Sequence, residues 1–424
     1  MVKISQIAIS LVSFLLLLCT TSAHADTDTG THIFNKKFRT LKTMADGNFM
    51  APPVIRMNTD DRLIVSFDEI GEDNSYLEYR LIHCDRDWQP SRLIESEYVD
   101  GFNSQRIEDY ENSYATFVHF VNYRIMLPNE DMRILHSGNY LLQVYDPEEP
   151  DEVILQTRFQ VSESAVSING TANSRTDRGH YSTWQQLSME IDTKGLGNIN
   201  PYQDITVDVM QNMREETHRR LNGPLRVNGP VMVYEHQNDL IFPASNEYRR
   251  FESVSNSFAG LHVDSLRYMG SNYHVWLKPD QPRADKQYSY DRTQHGRFLI
   301  REYNATDSDL GADYITVNFR LEMDELPDAD IYVDGEFTHG LPDNTNRMAY
   351  DPAIGAYTAS IPLKQGAYNY QYVTVKRDGR QKHDPAPIEG NKYETENEYN
   401  ISVYFRPPGA RADRLAGTNT IYNE

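Results

Sequence analysis

Cysteine is nearly absent from this chain. Its 424 residues hold two, Cys19 and Cys84, and no paired C-x-x-C, so thiolate-metal and dithiol chemistry have no basis in the sequence. A G-x-S-x-G elbow, a P-loop and an H-E-x-x-H pair are also missing, which removes the familiar routes to acyl transfer, nucleotide hydrolysis and zinc proteolysis. Tryptophan is confined to Trp88, Trp184 and Trp276. Beyond the first 25 residues no apolar run approaches the ~20 residues that a membrane-spanning helix needs. Positive charge is in deficit, with 41 Lys and Arg against 62 Asp and Glu, and the net charge is −21. That balance excludes a general nucleic-acid binder, which needs a basic face. It also disfavours anionic lipid surfaces and describes a well-solvated exterior.

The start of the chain has a three-part plan. Lys3, an apolar run from Ile7 to Leu18 and Ala23-His24-Ala25 before Asp26 predict a secretory signal over 1–25, cleaved after Ala25. Leu16-Leu17-Leu18-Cys19 opens a second reading, a lipoprotein signal acylated at Cys19, which Leu18 opposes because a small residue normally stands there. Cleavage after Ala25 removes the single charge of Lys3 and takes the net charge from −21 to −22. It leaves only Cys84, so no internal disulfide forms and packing supplies the stability.

With 28 Tyr, 20 Pro and 23 Gly, the composition favours sheets with many turns. The most legible stretch runs from Asp330 to His383. Tyr357, Ala359, Ile361 and Leu363 alternate with Thr358, Ser360 and Pro362, and Tyr368, Tyr370 and Tyr372 repeat that period after Gly366, which predicts strands with one apolar face. Asp334-Gly335, Asp351-Pro352, Gln365-Gly366 and Asp378-Gly379 punctuate them as turns. The same alternation occurs at Leu63, Val65 and Phe67, at Leu77, Tyr79 and Leu81, at Leu187, Met189 and Ile191, at Ile205, Val207 and Val209, and at Ile315, Val317, Phe319, Leu321 and Met323. The segment 212–221, NMREETHRRL, lacks an apolar stripe and reads as a loop or one exposed turn.

The predicted fold class is all-β: tandem immunoglobulin-like, early-set β-sandwich modules with a β-rich middle module. The expected divisions are an N-terminal sandwich over 26–163, the middle module over 164–300, a C-terminal sandwich over 301–406 and a polar, loosely docked tail over 407–424. Gly138-Asn139-Tyr140-Leu141-Leu142-Gln143 and Gly366-Ala367-Tyr368-Asn369-Tyr370-Gln371 share G-x-Y-x-x-Q at a strand start, as two sandwiches of related design would.

Candidate chemistry is sparse. The acidic turn DPEEPDE at 146–152 and DSDLGAD at 307–313 lack calcium-loop spacing and read as a solvated turn and a linker. His83-Cys84-Asp85 groups three reactive residue types, but neighbours on a strand point to opposite faces, so a structural role is expected. No metal, cofactor or small-molecule substrate is implied.

IYVDGEFTHG at 331–340 and the stretch from Leu363 to Pro385 resemble the early-set sandwiches fused to glycogen- and starch-active proteins. In those modules stacked tryptophans hold sugars, whereas the corresponding positions here are Gly340 and Gln381. The resemblance therefore implies the fold without the sugar platform. Several stretches together, HCDRDWQPSRLIESEYVDGF at 83–102, LPNEDMRILHSGNYLLQVYD at 127–146, YVDGEFTHG, LKQGAYNYQY and IEGNKYETENEYNISVYFRPPGARADRLAG at 388–417, resemble the plug protein family of the type IX secretion system. Departures are Gly340, where relatives often carry Trp, and Ala412, where an aromatic is common. This resemblance implies a non-enzymatic periplasmic protein that binds the periplasmic mouth of the outer-membrane type IX translocon barrel and closes its pore until cargo arrives. A periplasmic glycan-binding protein and an unrecognised hydrolase are the rival readings. The loop at Asp85, Asp87, Trp88 and Gln89 is the candidate partner contact, with Trp88 as aromatic anchor if exposed or as a core residue if not.

Overall fold

Apolar alternation along the strands places three pairs of sheets face to face, and the chain visits them in the order first, second, third, second. The computed structural model describes residues 29–378 and 383–423. The expected signal over 1–25, Cys19 and Gln381 lie outside these described residues.

In the first sandwich, Phe38–Ala45, Leu63–Ile70, Phe120–Leu127 and Asp109–Asn112 form one antiparallel sheet. The facing sheet contains His32–Ile33, Val153–Ser162, Gly138–Tyr145, Glu78–Cys84 and Gln105–Arg106. Leu63, Val65 and Phe67 from one sheet share a core with Leu81, Tyr140, Leu142 and Phe159 from the other. The alternation read in the sequence is thus an inward face.

The second sandwich joins Ser167–Asn173, Trp184–Asp192, Val231–Tyr234 and Arg226–Asn228 to a sheet of Arg219–Arg220, Ile205–Gln211, Glu398–Phe405 and Arg414–Tyr422. The third is inserted before those last two strands. Arg249–Ser253, Gly366–Lys376, Phe298–Ile300 and Ala329–Asp334 make one of its sheets; Val263–Met269, Asn272–Leu277, Tyr314–Glu322, Ala356–Lys364 and Ala349–Asp351 make the other. Strands from 249 to 300, expected with the middle module, therefore contribute Phe251, Val263, Val275 and Phe298 to the third core. NMREETHRRL holds a 3₁₀ turn at Glu215–Thr217 and the short strand Arg219–Arg220.

The expected polar tail over 407–424 needs correction: Arg414–Tyr422 pairs along its whole length with Glu398–Phe405. Its Leu415, Ala416 and Ile421 are buried, while a polar neighbour is spent on the junction, Asn419 donating to the Ile168 carbonyl at 2.9 Å. A strand whose polar side bonds to other strands looks like a solvated tail in sequence.

The G-x-Y-x-x-Q echo is a shared device. Tyr140 donates to the His136 carbonyl at 2.6 Å and Tyr368 to the Lys364 carbonyl at 2.5 Å, each four residues back. A Cβ on Gly138 would lie 2.4 Å from His83 Nε2, and one on Gly366 would lie 2.3 Å from the Leu299 carbonyl oxygen. Both starts need glycine because another chain atom occupies the side-chain position.

From Thr31 onward the chain is one compact unit, with each sandwich fastened to both others. Lys364 Nζ of the third donates to Asp68 of the first at 2.7 Å, and both side chains are 1% exposed. Arg297 of the third meets Glu398 of the second through bonds of 3.0 and 2.6 Å. Tyr404 of the second donates to Asn139 of the first at 2.9 Å, and Arg414 pairs with Glu163. Buried pairs of this kind contribute little net energy when complete but make separation costly, because each charge loses its partner in an apolar setting.

Candidate functional site

The residues singled out in the sequence lie where the strand Glu78–Cys84 ends. The Trp88 N–H donates to the Asp85 carbonyl at 2.8 Å and the Asp85 N–H to the Gln89 carbonyl at 2.9 Å. These bonds hold a tight turn in which Trp88 has φ +60°, an uncommon conformation for a bulky side chain. Trp88 is half-buried and outside the first core. The Arg158 guanidinium covers its ring at 4.4 Å from the centroid and also pairs with Glu215 of the second sandwich at 2.5 Å.

The two carboxylates of the loop are committed internally. Asp85 accepts from the Asp413 N–H at 2.9 Å and lies 3.4 Å from Arg406. Asp87 accepts from Arg220 at 2.5 Å, and Arg220 also grips Asp208 through two bonds of 2.9 Å. Arg86 reaches Asp413 at 2.9 Å. The structure thus brings Asp85, Asp87 and Trp88 together as a clasp between the first and second sandwiches, with Gln89 exposed beside them. Next to the clasp is a cleft of about 240 Å³ lined by Trp88, Arg158, Glu215, His218, Arg220 and Tyr404, among others. Burial alone would raise the Asp208 pKa, but His218 and Arg220 hold it below the usual carboxylate range. The arginines of the cleft face Asp87, Asp208 and Glu215, so it carries paired charges.

His83 and Cys84 cannot act as a nucleophilic pair. Burial pushes His83 down to about 4 and Cys84 up to about 12, leaving a neutral ring and a protonated thiol near neutral pH. The partners of His83 assign its tautomer. Nε2–H donates to the Ser137 carbonyl at 3.0 Å, while Nδ1 accepts from Ser91 Oγ at 2.8 Å. Tyr368, Tyr370 and Tyr372 are buried in the third core, and Tyr370 and Tyr372 both donate to Asp280 at 2.7 Å. They offer no stacking face to a sugar, and Gly340 has no side-chain surface to replace one. Among the described residues, no group of three or more His, Cys, Asp or Glu is placed to hold a metal ion.

An aromatic cluster with two exposed rings, Phe117 and Tyr268, resting on the half-buried Tyr273, was not legible in the sequence. Phe117 of the first sandwich stands 5.1 Å from Tyr268 and 5.5 Å from Tyr273 of the third, and those two rings are 5.4 Å apart. Tyr273 lies on the strand Asn272–Leu277, and only the docking of two sandwiches brings Phe117 to it.

Residues 38–163 match the type 9 secretion system plug protein 1st domain. A hypothetical protein from Parabacteroides merdae ATCC 43184, known from a crystal structure, is 37% identical, superimposes with a TM-score of 0.90, and aligns over 93% of this chain and 99% of its own. Dimeric latent PorU from Porphyromonas gingivalis aligns at 10% identity and a TM-score of 0.12, over 92% of this chain and 34% of its own, which carries no structural argument. No curated protein matches the sequence. No helix among the described residues is long and apolar enough to cross a membrane.

Proposed function

Because the chain belongs to the type 9 secretion system plug protein family, we propose that it is a periplasmic plug that binds the periplasmic end of the outer-membrane type IX translocon barrel and closes its pore in the absence of cargo. The observation that carries this reading is the mutual fastening of three sandwiches through buried ion pairs and hydrogen bonds. A pore wide enough for folded cargo leaks unless something stiff covers it. Occlusion needs a body that keeps its shape and an interface on the order of 1,200–2,000 Å² in total, with no bond-making step. The protonated Cys84 thiol and neutral His83 agree with a non-enzymatic role. The buried tyrosines of the third sandwich count against glycan binding.

Within this reading, the clasp loop supplies a rim contact. Asp85 and Asp87 tie the turn to the second sandwich, and Gln89, with the part of Trp88 that Arg158 leaves uncovered, faces the partner. Affinity capture tests the proposal. Tagged full-length protein added to mildly solubilised native outer membranes should retain the translocon barrel, and deletion of the protein should sensitise cells to large antibiotics. Absence of the barrel from the capture, together with an intact permeability barrier in the deletion strain, would overturn it.

A further inference from the structure

The cluster of Phe117, Tyr268 and Tyr273 has the properties of a preformed docking anchor. Phe117 is 52% and Tyr268 51% exposed, and the adjoining Met269 is 49% exposed. Three rings in mutual contact already hold one arrangement, so a partner loses little side-chain entropy in binding them. The backbone beneath is fixed as well. Asp313 accepts from the N–H groups of Phe117 and Val118, both at 3.0 Å, and its own N–H donates to Gln365 at 2.9 Å. Tyr268 and Met269 end the strand Val263–Met269, which lies at the edge of its sheet.

On the first-sandwich side the cluster has an acidic flank. Glu72, Asp73 and Glu111 are exposed. Glu72 sits 3.4 Å from His119, two residues along from Phe117, and its carbonyl accepts from Asn112, the neighbour of Glu111, at 3.0 Å. Arg267, next to Tyr268, is drawn to the Trp276 ring at 5.8 Å. An apolar centre with an acidic flank complements a surface of the opposite design.

We infer that Phe117, Tyr268 and Tyr273 anchor this protein on a partner protein whose contact surface has an apolar centre ringed by Lys and Arg. This rests on the plug reading, under which that surface belongs to the periplasmic rim of the translocon barrel. The rings set the dissociation rate, and the acidic flank sets the association rate and its salt dependence.

The test uses immobilised full-length protein and solubilised native outer membranes, with the barrel quantified by mass spectrometry. Compared are the wild type, Phe117→Ser/Tyr268→Ser, Tyr268→Phe, and Glu72→Lys/Glu111→Lys, each checked for an unchanged thermal midpoint. The serine pair should weaken retention at least tenfold, as loss of central aromatic anchors does. Tyr268→Phe should retain the barrel like the wild type, and the charge reversal should slow capture and flatten its salt dependence. Retention by the serine pair within twofold of wild type would overturn the anchor while leaving the plug reading intact. Failure of the wild type to retain the barrel would overturn the plug reading and the anchor with it. Should the serine pair not fold, the charge reversal on exposed residues decides: unchanged capture and salt dependence would overturn the inference.

Discussion

Replacing Lys364 with methionine removes the cation that fastens the third sandwich to the first, and the surroundings set the size of the loss. Lys364 Nζ is 2.7 Å from Asp68 Oδ2 and 2.5 Å from the Asp309 carbonyl, and stands 3.9 Å over the Phe120 ring. Asp68 would keep Asn122 and Tyr314 as donors, each at 2.7 Å, but no cation, at a site 1% exposed. Methionine preserves most of the aliphatic stem, so the cavity contribution is small. Stranding one member of a buried pair costs about 3–5 kcal/mol. Urea unfolding of the full chain, followed by tryptophan fluorescence, measures this. Adding Asp68→Asn should cost less than the sum of the two single changes, by about 1–3 kcal/mol, as residues sharing one network do. A Lys364→Met variant within about 1 kcal/mol of wild type, or strict additivity, would refute the view that this contact locks the sandwiches together.

Three further outcomes follow from the same structure. His83 is held near 4 by burial, below its ordinary 6.5. Its neutral form therefore contributes stability that is full above about 6.5 and lost as the pH falls toward 4, about 3 kcal/mol across that window; the gap between wild type and His83→Asn should narrow by that amount in acid, and a constant gap would contradict it. Cys84, 0% exposed with its thiol pushed up to about 12, should resist thiol reagents at pH 8 in the folded protein and react once urea unfolds it; rapid labelling of the native state would contradict its burial. A chain ending at Arg406 should lose cooperative unfolding, because Ala416 and Ile421 leave the second core and the buried Leu415 is lost with them; retention of the wild-type transition would show the last strand to be dispensable.

Local periodicity carried much of the fold. The strand Ala356–Lys364 pairs in full register with Tyr314–Glu322, and both were visible as alternation because one face of each is core. The strand Arg414–Tyr422 was not visible, since its apolar residues are few and its polar ones bond to neighbouring strands. Nor does alternation reveal that Ile205–Gln211 pairs with Glu398–Phe405 nearly 200 residues later, because pairing at that range is decided by packing of the whole domain. At the clasp, the sequence marked Asp85 and Asp87 as part of a candidate partner contact. Their partners Asp413 and Arg220 are brought in only by the docking of the second sandwich. The Lys364–Asp68 pair is concealed in the same way, as two ordinary charges on separate strands.

Conductance of the isolated type IX translocon barrel in a planar bilayer tests the central claim most directly. Full-length protein added from the periplasmic side should close an open, cargo-free pore, and washing it out should restore the current. A pore that stays fully open while the protein is demonstrably bound would contradict the account.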